Sequence, residues 1–110
     1  MLFPQCETRG ALENIEEIAA LPGVDGIFVG PYDLSVALGK PADMQNPELV
    51  EAIARVLSVC KKHGKLSMIY AGNAATAKDL FQQGFDAVAC GMDAIVLIEA
   101  VRALVTDVRA

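Results

Sequence analysis

The sequence lacks an extended basic run: 9 Lys and Arg face 14 Asp and Glu, for a net charge of -5 and a pI near 4.7. That balance argues against nucleic acid or an anionic membrane surface as a partner. Cysteine is scarce and badly spaced for cross-linking. Cys6, Cys60 and Cys90 are odd in number and form no C-x-x-C pair, which excludes a disulfide framework and a cysteine zinc site and fits reduced thiols filling a core in the cytoplasm. Histidine occurs once, as His63. It falls at the end of an expected helix, where it reads as a solvated charge at the negative dipole end, far from any site at the strands' carboxyl ends. No stretch reads as a signal peptide, and the most apolar helix carries Glu99 and Arg102, so no membrane span is expected.

Length is also in short supply. The 110 residues suit one small domain, well below the roughly 250 of an eight-fold βα barrel. Apolar residues, by contrast, are abundant. Their 54% share exceeds the roughly 45 to 50% of ordinary domains, which implies surface that a partner covers.

Alternation of apolar runs with turn and cap signals predicts four βα units. Leu2 to Glu7 reads as a first strand, and Pro4, which cannot donate to a ladder, suits a sheet edge or a strand start better than a central strand. Thr8 caps a helix over about Arg9 to Ala20, with Leu12, Ile15, Ile18 and Ala19 at helical spacing. Ile27 to Val29 is a short β-branched and aromatic run of the kind covered on both faces in parallel sheets. Gly30 and Pro31 end it before a short helix. Asn46-Pro47-Glu48 starts a helix that runs to Lys61-Lys62-His63 and closes at Gly64. Lys65 to Tyr70 is the third strand, and Asn73 caps a helix through Gln83. Phe85 to Cys90 is the fourth, with Asp93 capping a last helix from about Ala94 to Val108. That helix has apolar residues around more of its circumference than one sheet-facing stripe needs, so two buried faces are expected. Gly30, Gly72 and Gly91 recur at strand ends, as if a turn or ligand required bare backbone.

The chain is organised around Gly23 to Ser35, where an apolar strand runs into a tight polar turn. Asp33 falls in the first turn of the following helix, next to backbone N–H groups that favour an anion. Taken alone, Asp33 is more commonly an N-cap than a ligand. Glu7 supplies a second carboxylate. Period-2 alternation puts Phe3, Gln5 and Glu7 on one face, and parallel pairing would bring Glu7 and Asp33 to the carboxyl ends of neighbouring strands, where α/β folds bind ligands. Two carboxylates there suit a hard divalent cation with positions left for water or substrate oxygens.

Gln5-Cys6-Glu7-Thr8, Asn14-Ile15 and the whole of Pro22 to Gly39 resemble the C-terminal half of the HpcH/HpaI group of class II, metal-dependent pyruvate aldolases. Looser similarity continues through Gly64-Lys65, Gly84-Phe85-Asp86 and Gly91-Met92-Asp93. The resemblance covers nearly all of this chain and about half of a typical member. It implies an α/β fold of four βα units, half of a (β/α)8 TIM barrel of the phosphoenolpyruvate/pyruvate type, over residues 1-110.

The implied activity is that of a carbon-carbon lyase: reversible retro-aldol cleavage of a 2-keto-3-deoxy (4-hydroxy-2-oxo) acid to pyruvate and an aldehyde. By the same resemblance Glu7 and Asp33 bind the divalent ion (Mg, Mn or Co), which chelates pyruvate and stabilises its enolate. Backbone N–H groups at Tyr32 and Asp33 hold the carboxylate, and Gln5 hydrogen-bonds substrate. Tyr32 stands where the family has a small residue, narrowing the aldehyde side or shielding the metal. The family's proton-handling histidine and its acidic and arginine partners have no counterpart here. Cys90, Tyr70 and Asp93 lie near the edge but read as filler, packing aromatic and cap. Two other readings stay open: a non-catalytic half-barrel that oligomerises, and an open α/β domain whose anion-binding turn is Gly30 to Ser35. Expected partners are further copies of the chain or a complementary half-barrel chain.

Overall fold

Pro4 has no N–H to give a ladder, and the first strand β1 (Gln5–Cys6) accordingly starts just after it, in a computed structural model describing residues 1–110. The remaining elements are α1 (Arg9–Glu13), α2 (Ile15–Ala20), β2 (Gly26–Val29), α3 (Pro31–Ala37), α4 (Pro47–His63), β3 (Leu66–Ala71), α5 (Ala74–Gln83), β4 (Ala87–Cys90) and α6 (Asp93–Arg109). The four strands form one sheet in the order β1-β2-β3-β4, every pair parallel. Pro4 thus sits just before an edge strand, where its missing N–H costs no ladder bond. The expected helix over Arg9 to Ala20 is broken in two at Asn14, whose side-chain amide turns back to donate to the Gly10 carbonyl at 2.8 Å. An Asn side chain that competes for backbone in this way is a poor helix interior.

Capping follows the sequence closely. Thr8 accepts from the Ala11 N–H at 3.1 Å, Asn46 from the N–H groups of Glu48 and Leu49, and Asn73 from that of Thr76. Gly64 and Gly84 close α4 and α5 in the left-handed region, where a side chain is strained. Asp93 departs from expectation. It is the first residue of α6 rather than its cap, and its Oδ1 accepts from the Ala94 N–H at 2.8 Å.

Parallel register assigns the two faces of the sheet. Cys6 pairs with Val29, Val29 with Ile69, and Ile27 with Ser67, and these residues are buried together with Ile15, Leu34, Leu49, Val56 and Cys60 of the helices. The opposite row runs Gln5, Phe28, Met68 and Ala87. It is this second row, with Tyr70 and Ala89, that lines the concave side a barrel would enclose, and its apolar members stay half-exposed. Ile27 and Val29 point away from that side and are packed under the helices. Phe3 does lie on the concave side, over Gly26, where a Cβ would collide with its ring. The thiols also divide. Cys6 and Cys60 are buried, burial pushing Cys6 up to about 11 with Cys60 adding to the shift and Arg55 opposing it. Cys90 is exposed and is not core filler.

No residue of α6 is buried within the chain, so neither of the two faces expected to be covered is covered here. The helix reaches away from the sheet, and the radius of gyration is 16.2 Å, against about 13 Å for a compact chain of this length. No helix is long and apolar enough to cross a membrane.

Two polar clasps tie the amino end of the sheet. Asp86 accepts from the Ser67 N–H and hydroxyl, both at 2.8 Å, and the Ser67 N–H chiefly, then its hydroxyl, holds the Asp86 carboxyl below its ordinary range. His63, far from being a free solvated charge, meets Glu16 at 2.7 Å beside Lys62 at 3.0 Å, and the hydrogen bonds from His63 and then Lys62 lower Glu16 likewise. A carboxylate depressed in the folded state stabilises it above the unfolded pKa and loses that contribution as pH falls through the folded one. The melting temperature should therefore drop as pH is taken from about 5 to below 4. Asp86→Asn should flatten that dependence in a thermal-melt titration; an unchanged profile would remove Asp86 from the account.

Candidate functional site

At the carboxyl edge of β1 and β2, Gly30 is the residue against which the first polar groups converge. A Cβ placed on Gly30 would lie 3.0 Å from Gln5 Nε2, 3.0 Å from Glu7 Oε2 and 3.2 Å from Glu7 Cβ. Such contacts are tighter than most real ones, so a side chain here would push Gln5 and Glu7 aside by a few tenths of an ångström, and glycine lets them lie together over the end of β2. Both side chains therefore point the same way, as period-2 alternation predicts. Gly91 meets a different demand, a left-handed φ of 83°. Gly72 meets neither: it has ordinary φ and nothing within 4 Å of an added Cβ.

Gly30 is also the N-cap of α3, with no side-chain hydrogen bond to it, and Pro31 takes the first helical position. This places Tyr32 and Asp33 in the first turn, directly beyond the strand that pairs with β1. Asp33 is exposed, Glu7 half-buried and Tyr32 56% exposed. Asp33 thus belongs to α3 itself, rather than standing outside it as the N-cap. Glu7 and Asp33 are the edge's two acidic groups from neighbouring units. No cluster of three or more His, Cys, Asp or Glu suited to a metal occurs anywhere in the chain.

A cleft of about 900 Å³ opens next to this edge, between α4 and α5, with Tyr32, Met44, Leu57, Tyr70 and Asn73 among its walls. Gln5, Glu7 and Asp33 do not line it. Pro31 and Tyr32 are common to both places. His63 lies at the end of α4, which leads into the start of β3, and so at the opposite end of the sheet. Cys90 ends β4 and Tyr70 is half-buried in β3.

The sequence missed the centre of the turn. Ser35 is completely buried; its hydroxyl donates to the Tyr32 carbonyl and accepts from the Ala42 N–H at 3.0 Å. A serine between Leu34 and Val36 in a short apolar helix was the available signal, since a polar group buried there needs partners.

The profile of the HpcH/HpaI aldolase/citrate lyase family matches residues 1–100. The chain belongs to this family. Its sequence is 42% identical over 99 residues to the hydroxypyruvate/pyruvate aldolase of Chromohalobacter salexigens, covering 90% of this chain and 39% of that enzyme. It is 42% identical over 103 residues to the 5-keto-4-deoxy-D-glucarate aldolase of Klebsiella pneumoniae, covering 94% and 40%. Among solved structures, an HpcH/HpaI aldolase/citrate lyase family protein of Burkholderia cenocepacia superposes with a TM-score of 0.88 at 37% identity, over 96% of this chain and 41% of that one. The chain spans about two fifths of the length of these relatives. Family membership makes the four βα units part of a TIM barrel, and the named relatives are aldolases, hence carbon-carbon lyases.

Proposed function

We propose that these HpcH/HpaI residues form the divalent-cation- and pyruvate-binding half of a class II aldolase that reversibly cleaves a 4-hydroxy-2-oxo acid to pyruvate and an aldehyde. The observation that supports it most is the convergence of Gln5 and Glu7 on bare Gly30, one helical turn from Asp33, in a chain whose relatives are pyruvate and oxo-acid aldolases. The donor set fits a hard ion: two carboxylates, both oxygen donors, with no soft ligand beside them. Magnesium, manganese and cobalt are the candidates, with Glu7 and Asp33 as ligands. When bound, such an ion supplies positive charge that makes the methyl protons of a 2-oxo acid easier to remove.

The chain's own groups have separate tasks. Gln5 Nε2 donates to a substrate oxygen beside Glu7. The Tyr32 and Asp33 N–H groups, at the start of α3 where no intrahelical carbonyl is within reach, receive the carboxylate of pyruvate. Tyr32, standing between this edge and the cleft, limits the space on the aldehyde side. Proton transfer belongs to residues outside these 110. Residues 1-110 then act as one half-barrel unit, completed by a complementary half-barrel or covered by further copies of the chain, in a cytoplasmic enzyme.

Calorimetry at pH 7 should show Mg(II), Mn(II) or Co(II) binding to the chain, and Glu7→Gln should weaken it by about tenfold or more, as expected when one of two anionic ligands is lost. Absence of binding heat with all three ions at high protein concentration would refute the ligand assignment.

A further inference from the structure

Ser35 and Ser67 are the two polar residues buried in the chain. Ser67 is accounted for by its clasp on Asp86. Ser35 faces a different way. Its carbonyl accepts from the Lys40 N–H at 2.9 Å and its hydroxyl from the Ala42 N–H at 3.0 Å, so two successive turns of the segment after α3 hang on one residue. The hydroxyl has a single proton, and because Ala42 must donate to the oxygen, that proton goes to the Tyr32 carbonyl. Ala42 holds φ at 62°, a left-handed conformation uncommon for a residue with a side chain. The hydrogen bond to Ser35 is formed from that conformation.

The Tyr32 carbonyl belongs to the same planar peptide as the Asp33 N–H. Fixing that carbonyl fixes the plane leading into the Asp33 Cα, and with it the direction in which the side chain leaves the helix. We infer that Ser35 is a positioning residue for Asp33: locked by the Ala42 N–H, its hydroxyl orients the Tyr32–Asp33 peptide so that the Asp33 carboxylate meets the same divalent cation as Glu7. This rests on the ligand role proposed above for Asp33. A helical serine bonded to a carbonyl one turn back is a frequent motif with a purely local role. Here the hydroxyl is wholly buried and its second partner comes from a separate segment.

A double-mutant cycle on Mn(II) affinity, measured by calorimetry on the 110-residue chain, separates the two roles. Ser35→Ala should weaken Mn(II) binding by about three- to tenfold, by analogy with groups that orient metal ligands. Asp33→Asn should weaken it more, and adding Ser35→Ala to Asp33→Asn should change nothing further. If Ser35→Ala lowers affinity by the same factor in both backgrounds, or leaves it unchanged in the wild-type background while Asp33→Asn weakens it, the inference is overturned and the role of Asp33 survives. No Mn(II) binding by the wild-type chain, or full binding by Asp33→Asn, overturns the ligand role and this inference with it. Should Ser35→Ala fail to melt cooperatively, Ser35→Cys, which keeps the side chain's place with a weaker donor, is carried through the same cycle.

Discussion

Mixed with Mn(II) and a 4-hydroxy-2-oxo acid, the 110-residue chain is expected to release pyruvate no faster than the free ion does. On the ligand assignment proposed for Glu7 and Asp33, binding and charge stabilisation would still leave the proton unmanaged, and positioned acid-base groups are worth about 10²- to 10⁴-fold. Two of the candidates in the chain, His63 and Asp93, are already engaged. His63 is at the opposite end of the sheet and engaged with Glu16 at 2.7 Å. Cys90 is exposed, Tyr70 lies in β3 facing the concave side, and Asp93 is spent at 2.8 Å on the N–H that follows it. A coupled assay for pyruvate, with the free ion as blank, measures this directly. Turnover well above the blank that Glu7→Gln abolishes would show that a group within these residues moves the proton. Activity that arises only on adding the complementary half-barrel would place the acid-base machinery there.

What could be read in the sequence was whatever depends on local chemistry. Asn46-Pro47, Asn73 and Gly64 mark helix ends because capping and left-handed backbone involve only neighbours in the chain, and all three are found as expected. Gln5 and Glu7 sharing a side follows from strand parity alone, and Gly30 shows it. Family membership was legible through the same stretch. Parity did not say which side of β2 faces the helices. Ile27, Phe28 and Val29 are all apolar, so no polar residue marks the concave face, and only the pairing of Phe28 with Gln5 decides it. Ser35 escaped for a related reason. Its second partner, Ala42, belongs to a loop whose path the sequence does not reveal, so the serine looked like the tail of a turn and not its anchor. Asn14 was hidden by a pattern: Leu12, Ile15, Ile18 and Ala19 keep helical spacing straight across the break between α1 and α2.

In sedimentation at micromolar concentration the chain is expected to run as a dimer or larger, and Val101→Asp with Leu104→Asp to shift it to a monomer of 11.6 kDa. The apolar surface that demands this is visible along α6, where Ile95, Val96, Leu97, Ile98, Val101, Leu104, Val105 and Val108 are all at least 43% exposed. At about 25 cal/mol per Å², covering even half of these side chains is worth several kcal/mol, comparable to the whole stability of a small domain. The sheet adds to the demand. β1 and β4 each present an unpaired edge, which proteins normally pair or cover, and the Phe28 and Met68 row is open to solvent on the concave side. The double aspartate substitution discriminates because Val101 and Leu104 are 48% and 64% exposed in their own chain. In an isolated monomer two surface charges should change the melt little, within about 0.5 kcal/mol each. If another copy covers the helix, the same charges must be desolvated, and association fails. Wild-type sedimentation as a cooperative, well-folded monomer would count against self-association and favour an open α/β domain; association that survives both aspartates would move the interface from α6 to the sheet edges.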